Sequence, residues 1–92
     1  MAHRVVWSPR ALADVEAISA FIATDSPAYA RNVVRRIVTL AKTLSDFPRS
    51  GRKVPEYAEE SIRELFAYSY RVIYEVGTTE VTIAAVIHGK RD

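Results

Sequence analysis

The fold is decided by the stretch Tyr70-Arg71-Val72-Ile73-Tyr74-Glu75-Val76-Gly77-Thr78-Thr79-Glu80-Val81-Thr82-Ile83-Ala84-Ala85-Val86-Ile87-His88. Two runs rich in β-branched and aromatic residues flank a Gly77–Glu80 turn, which predicts an antiparallel hairpin. Tyr70, Val72, Tyr74 and Val76 alternate with Arg71, Ile73 and Glu75, so the first of these strands is expected to be half-exposed. Val81 to Ile87 is apolar on nearly both faces, which places the last strand in the interior of a sheet. Ile62 to Ala67 is a third run of the same kind, and three antiparallel strands are the simplest reading.

Working outward, His3 to Trp7 predicts a short strand that stops at Ser8-Pro9. Ser8 suits a helix N-cap and Pro9 the first helical position, where its missing N–H costs nothing. Ala11, Leu12, Val15, Ile18 and Ile22 then recur at helical spacing, predicting a helix over residues 9–24. Ser26-Pro27 repeats the start signal, and Ala30, Val33, Val34, Ile37, Leu40, Ala41 and Leu44 form the stripe of a second helix. So short a connection forces an antiparallel helical hairpin. Phe47 to Val54, with Pro48, Gly51 and the following Pro55, reads as a loop carrying Arg49, Arg52 and Lys53. The expected fold is α+β in the order β-α-α-β-β-β, with the helical hairpin packed on one face of an antiparallel sheet and residues 1–92 forming one domain. Trp7, Phe21, Phe47 and Phe66 are expected in its core.

Composition agrees. In 92 residues, 49% are hydrophobic, 26% charged, 3 are glycine and 4 proline, the profile of one globular unit. Folding at this size removes only roughly 60% of the surface an unfolded chain exposes, so the core is thin and a bound partner is plausible. The longest apolar stretch in the second half, Ile83 to Ile87, is far short of the ~20 residues of a membrane span. Met1-Ala2-His3-Arg4 leads into no apolar secretory core, so export is not expected. The chain has no cysteine and two histidines at opposite ends, which excludes disulfides and makes a zinc site poor. No cofactor and no metal are expected.

The net charge of +2 hides an uneven distribution. Arg49, Arg52 and Lys53 are followed by Glu56, Glu59, Glu60 and Glu64, and the chain ends in Lys90-Arg91-Asp92. Nucleophile, phosphate-loop and dinucleotide motifs are missing, so the cations are the candidate chemistry. Arg71 stands out because it lies in an apolar strand, where a guanidinium needs an anion or an open face. One reading pairs it with Glu75 or a cross-strand glutamate; the other gives it an anion or phosphate on an open sheet face. His88, just ahead of Gly89-Lys90-Arg91, suits either a general acid–base role or a structural hydrogen bond. Glu59 and Glu60 read as a solvated turn.

Five segments in order resemble the RelE/ParE family of bacterial toxins from type II toxin–antitoxin modules. They are Val5-Val6-Trp7-Ser8-Pro9-Arg10-Ala11 with Asp14-Val15, Ser26-Pro27-Ala28, Phe47-Pro48-Arg49-Ser50-Gly51-Arg52, Ile62-Arg63-Glu64-Leu65 with Tyr70 to Val76, and Val86-Ile87-His88-Gly89-Lys90-Arg91. The resemblance implies a small cytoplasmic toxin neutralised by a cognate antitoxin, which also supplies the DNA-binding part of the complex. No direct DNA binding is therefore expected of this chain without antitoxin. The helical hairpin is the expected antitoxin surface, from its apolar patterning.

Two activities divide that family. Ribonuclease members cut messenger RNA on the ribosome; the other branch binds DNA gyrase and is not enzymatic in the usual sense. The resemblance implies Arg71, His88, Lys90 and Arg91 as the catalytic set if this chain is a ribonuclease. It implies Arg49, Arg52, Lys53, Arg71, Lys90 and Arg91 as target-binding residues in general. Ribonuclease members carry a tyrosine or histidine beyond the terminal basic pair, whereas this chain ends there in Asp92. The Ser-Pro opening and the His-Gly-Lys-Arg ending look more like the gyrase-binding branch, which is the expected function, with a ribosome-dependent endoribonuclease and an inactive toxin homologue as the alternatives.

Overall fold

The computed structural model describes residues 2–89. Its elements are β1 (Arg4–Trp7), α1 (Pro9–Ala23), α2 (Pro27–Thr43), β2 (Arg52–Lys53), β3 (Ile62–Ala67), β4 (Tyr70–Val76) and β5 (Glu80–His88). Both helices begin as their sequences require. Ser8 Oγ accepts the Ala11 amide at 3.0 Å and Ser26 Oγ accepts the Tyr29 amide at 3.1 Å, each ahead of a proline. Ser8 Oγ also donates to the Ala84 carbonyl at 3.0 Å, tying the start of α1 to β5.

The five strands form one sheet in the order β1-β5-β4-β3-β2. β2 to β5 run antiparallel to their neighbours, while β1 pairs parallel with β5, Arg4 opposite Glu80 and Trp7 opposite Ile83. The sheet is therefore mixed rather than antiparallel. β2 adds a second difference, because Arg52 and Lys53, which the nearby prolines and glycine mark as loop, pair with Glu64 and Arg63. β4 is the middle strand, and its second face grades from buried Arg71 through half-buried Ile73 to exposed Glu75. Its alternation is as expected, except that Arg71 on the second face is buried in an ion pair with Glu64.

α1 and α2 cover one face of the sheet. Ala11, Ile22, Ala30, Val33, Ile37, Ala41 and Leu44 pack there with Ala67, Val72, Tyr74, Val76, Val81, Ile83 and Val86. A bulge makes this packing possible: Tyr74 pairs with Ile83 and Ile73 with Ala85, which leaves Ala84 between them. That extra residue lets Val81, Ile83 and Val86 all face the helices, and it explains the nearly continuous apolar run. Among the described residues no helix is long and apolar enough to cross a membrane.

Three of the four aromatic residues expected in the core are outside it. Phe21 is 73% exposed, Phe47 65%, and Phe66 is also exposed, whereas Trp7 is half-buried against the core. Phe66 alternates onto the sheet face away from the helices, and Phe47 lies in the turn after α2. Aromatic type does not report which face a strand or helix position occupies; register does.

Candidate target-recognition site

Arg52 and Arg71 lie on the sheet face opposite the helices, interleaved with glutamates, whereas Lys53, opposite Arg63, and Arg63, opposite Tyr74, alternate onto the other face at the β2–β3 edge. Glu64, in β3, and Arg71, in β4, share the face away from the helices because the two-residue connection Tyr68-Ser69 sets Phe66 opposite Arg71 and Glu64 opposite Ile73. Arg71 Nε donates to Glu64 Oε1 at 2.6 Å, and its two terminal nitrogens donate to Glu56 at 3.0 and 3.2 Å. Arg52 Nε donates to the other Glu64 oxygen at 2.6 Å, with its guanidinium 5.1 Å above the Phe66 ring. Lys53 Nζ and Arg63 Nη2 donate to the two oxygens of Glu60 at 3.2 and 3.0 Å. Arg63 also donates to the Glu60 and Gly51 carbonyls at 2.9 Å each, which ties the loop before β2 to β3.

The electrostatics follow from this pairing. The hydrogen bond to Glu56, reinforced by Glu64, holds the Arg71 guanidinium above its ordinary range against the opposing effect of burial. The Lys53 hydrogen bond holds the Glu60 carboxyl below its ordinary range. Tyr74 lies beneath the loop, where its hydroxyl accepts the Gly51 amide at 3.0 Å, and burial pushes its phenol upward.

The structure thus selects between the two readings of Arg71: its partner is a cross-strand glutamate, and its side chain is buried rather than open. Glu75 is not among its ion-pair partners. Arg49, Arg52 and Lys53 remain exposed, with Arg52 and Lys53 paired on one side. His88 is cross-strand from Tyr70 and its ring packs edge-on against Tyr70 at 5.6 Å. That is the helix side of the sheet, so Arg71 and His88 project from opposite faces. Lys90 and Arg91 lie outside the described residues.

Glu56, Glu60 and Glu64 are the residues that sequence reasoning misses. The signal for Glu64 is present, because centring the hairpin on Tyr68-Ser69 puts it on the face of Arg71, one step along. Glu60 reads as solvated in the sequence; it is exposed and still anchors two cations. Asp14 is a further structural residue without a sequence signal: its Oδ2 accepts the Val86 amide at 2.9 Å on the β5 edge beyond the end of β1.

A second surface lies on the outer side of the helical hairpin. Trp7, Leu12, Val15 and Val38 line a mainly apolar trough of about 330 Å³, continued along α1 by Ala20 and Ala23 beside Val34, with Glu16 on its wall in both parts. Leu12 and Val38 are exposed in it.

The fold, two helices on one face of a mixed five-stranded sheet, is that of a small α+β toxin class. The family model for the ParE toxin of type II toxin–antitoxin systems, parDE, matches residues 5–92, and the chain belongs to this RelE/ParE toxin family. It is 36% identical over 89 residues to toxin RelE2 of Caulobacter vibrioides, covering 96% of this chain and 97% of that one. Its fold is similar to the chromosomal ParDE toxin–antitoxin system from P. aeruginosa, with TM-score 0.78 and 22% identity over 97% of this chain and 98% of that one. A similar fold occurs in the RelBE2 toxin–antitoxin complex of Mycobacterium tuberculosis, with TM-score 0.67 and 22% identity over 96% and 99% of the two chains.

Proposed function

We propose that this chain is a growth-inhibiting toxin, held inactive by a cognate antitoxin, that acts by binding DNA gyrase. The observation that carries the choice of target is the placement of Arg71 and His88. Cleavage at a 2′-hydroxyl needs a base, an acid and cations converging on one phosphate. Arg71 is instead enclosed by Glu56 and Glu64, and His88 faces the other side of the sheet. A surface of exposed Arg49, Arg52 and Lys53 suits recognition of a protein target, with charged groups steering the encounter. The trough along Leu12, Val15 and Val38 suits an amphipathic antitoxin segment that covers its apolar surface.

A second reading, the ribosome-dependent ribonuclease, is favoured by one observation, the 36% identity to a relative named toxin RelE2. The two readings separate in cells induced without antitoxin. Gyrase binding stops thymidine incorporation first, with filamentation, and purified chain inhibits supercoiling by purified gyrase. Ribonuclease action stops amino-acid incorporation first, with cut messengers. Early loss of protein synthesis with intact supercoiling overturns the gyrase reading.

A further inference from the structure

α2 carries Arg31, Arg35, Arg36 and Lys42 and no carboxylate, although the whole chain is only +2. Arg31 and Arg35 stand four residues apart, a like-charge spacing that weakens a helix unless something else uses it. Among the described residues none of Arg31, Arg35 and Arg36 has an ion-pair partner, in contrast to the closed network around Arg71. Arg35 and Arg36 share a hollow of about 240 Å³ with Asn32, Thr39 and Tyr68. Tyr68 reaches it from the β3–β4 turn. The hollow therefore joins two guanidinium forks, a side-chain amide and a hydroxyl, donors that suit a tetrahedral anion.

Tyr68 adds a second, independent observation. It is the one non-glycine residue with positive φ, 55°, among the described residues. A two-residue hairpin connection wants glycine or asparagine in that conformation, and a bulky aromatic there is strained. The ring is nevertheless displayed: it is exposed and packs edge-on against the exposed Tyr29, with centroids 5.7 Å apart. A held aromatic face beside unpaired arginines is the combination that grips a nucleotide unit of a single strand, phosphate on the cations and base on the ring. The hollow is smaller than the roughly 300–1,000 Å³ of small-molecule pockets, which suits one unit of a longer strand rather than an enclosed ligand.

We infer that Asn32, Arg35, Arg36, Thr39 and Tyr68 form a contact site for single-stranded nucleic acid on the α2–hairpin side of the toxin. This site is separate from the charged face across the sheet and does not depend on whether gyrase or the ribosome is poisoned. Its ligand is a single strand, not the operator duplex that the antitoxin is expected to bind.

The test is fluorescence anisotropy of a labelled twelve-residue oligouridylate with the purified full chain over a salt series. Arg35→Ala/Arg36→Ala should weaken binding at least about tenfold and flatten the logarithmic salt slope by roughly 0.7 for each phosphate that the variant no longer neutralises. Tyr68→Gly, which relaxes the backbone while removing the ring, should weaken binding about five- to a hundredfold with the salt slope unchanged. Lys42→Ala, outside the hollow, should stay within about threefold of the parent, a single peripheral charge being largely screened. Circular dichroism should show all variants folded, since alanine is favourable in an exposed helix and glycine at a positive φ. Equal losses in Lys42→Ala and the double variant, an unchanged salt slope in the double variant, or displacement of the oligonucleotide by polyglutamate as readily as by unlabelled strand would each overturn the site.

Discussion

Arg71 Nε and Glu64 Oε1 meet at 2.6 Å with side chains 3% and 0% exposed, a buried ion pair in the middle of the sheet. Such a pair does not by itself stabilise a fold, because removing both charges from water costs about as much as their attraction returns. Its importance lies in what happens when one partner is removed. Glu64 would lose its buried partner and keep Arg52, whose own side chain is half in solvent.

Arg71→Ala should therefore destabilise the chain by about 3–5 kcal/mol, whereas Arg71→Met with Glu64→Leu should come much closer to the parent. Urea unfolding of the three proteins checks this. An Arg71→Ala protein as stable as the parent would show that the pair is dispensable. A loss of toxicity in that variant reports on the fold first and on target contact second.

Gly51 is held against β3. A Cβ there would lie 2.5 Å from the Glu64 carbonyl oxygen and 2.7 Å from the Tyr74 hydroxyl. Neither can yield freely, since one is backbone in a strand and the other is buried. Gly51→Ala should lose about 1–3 kcal/mol, as overpacked sites do. That is a fall in melting temperature of roughly 4–8 °C per kcal/mol for a domain of this size. Calorimetry showing no change would mean the loop moves away at no cost.

Tyr74 gives a pH dependence with a definite sign. Burial raises its folded-state pKa above the unfolded value, so the neutral phenol is the form the fold prefers. Its contribution is present below about pH 10, the ordinary tyrosine value, and is lost as pH rises through the folded-state value. The parent should lose stability at alkaline pH beyond that seen for Tyr74→Phe. Subtracting the variant's phenolate absorbance from the parent's should isolate a late-titrating component. An early one would place the hydroxyl in contact with water.

Much of this architecture is legible in the sequence, and the misses have physical causes. The two Ser-Pro starts, the helical hairpin and the three C-terminal strands follow from local rules of capping and periodicity, and the family resemblance agrees with them. β2 is hidden because a two-residue strand has no periodicity to detect. The parallel pairing of β1 with β5 joins residues more than seventy positions apart, which no local pattern encodes. At the charged face, the cations are visible but their partners are not. A glutamate in a loop reads as solvated until the register of the neighbouring hairpin shows which arginine it meets. The burial of Arg71 is the clearest case, because an arginine in an apolar strand has the same sequence signature whether it binds a ligand or a buried carboxylate.

Asp14 closes an exposed part of the sheet edge. β1 ends opposite Ile83, and the Val86 amide beyond it is taken by Asp14 Oδ2 at 2.9 Å. Asp14→Ala should leave that donor without its partner at a cost of about 1–3 kcal/mol. Hydrogen exchange read residue by residue should show the Val86 amide losing protection while Val72 and Tyr74 keep theirs. Uniform loss would mean that Asp14 supports the whole fold through α1 rather than one edge.

The exposed cations give the most direct test of target recognition, since they can be changed without touching the buried pair. Lys53 pairs with Glu60 only in solvent, an interaction worth about 0–1 kcal/mol, and Arg49 has no side-chain ion pair among the described residues. Arg49→Glu with Lys53→Glu should therefore melt within a few degrees of the parent. If this face meets an acidic surface on gyrase, the double variant should lose growth inhibition and supercoiling inhibition together. Opposing charges would then become repulsive ones, which costs more than deletion. Binding of the antitoxin, expected on the outer side of the helical hairpin along Leu12, Val15 and Val38, should be unchanged in a pull-down. A variant that remains fully toxic while folding normally would remove these cations from the mechanism and move the target surface to another part of the chain.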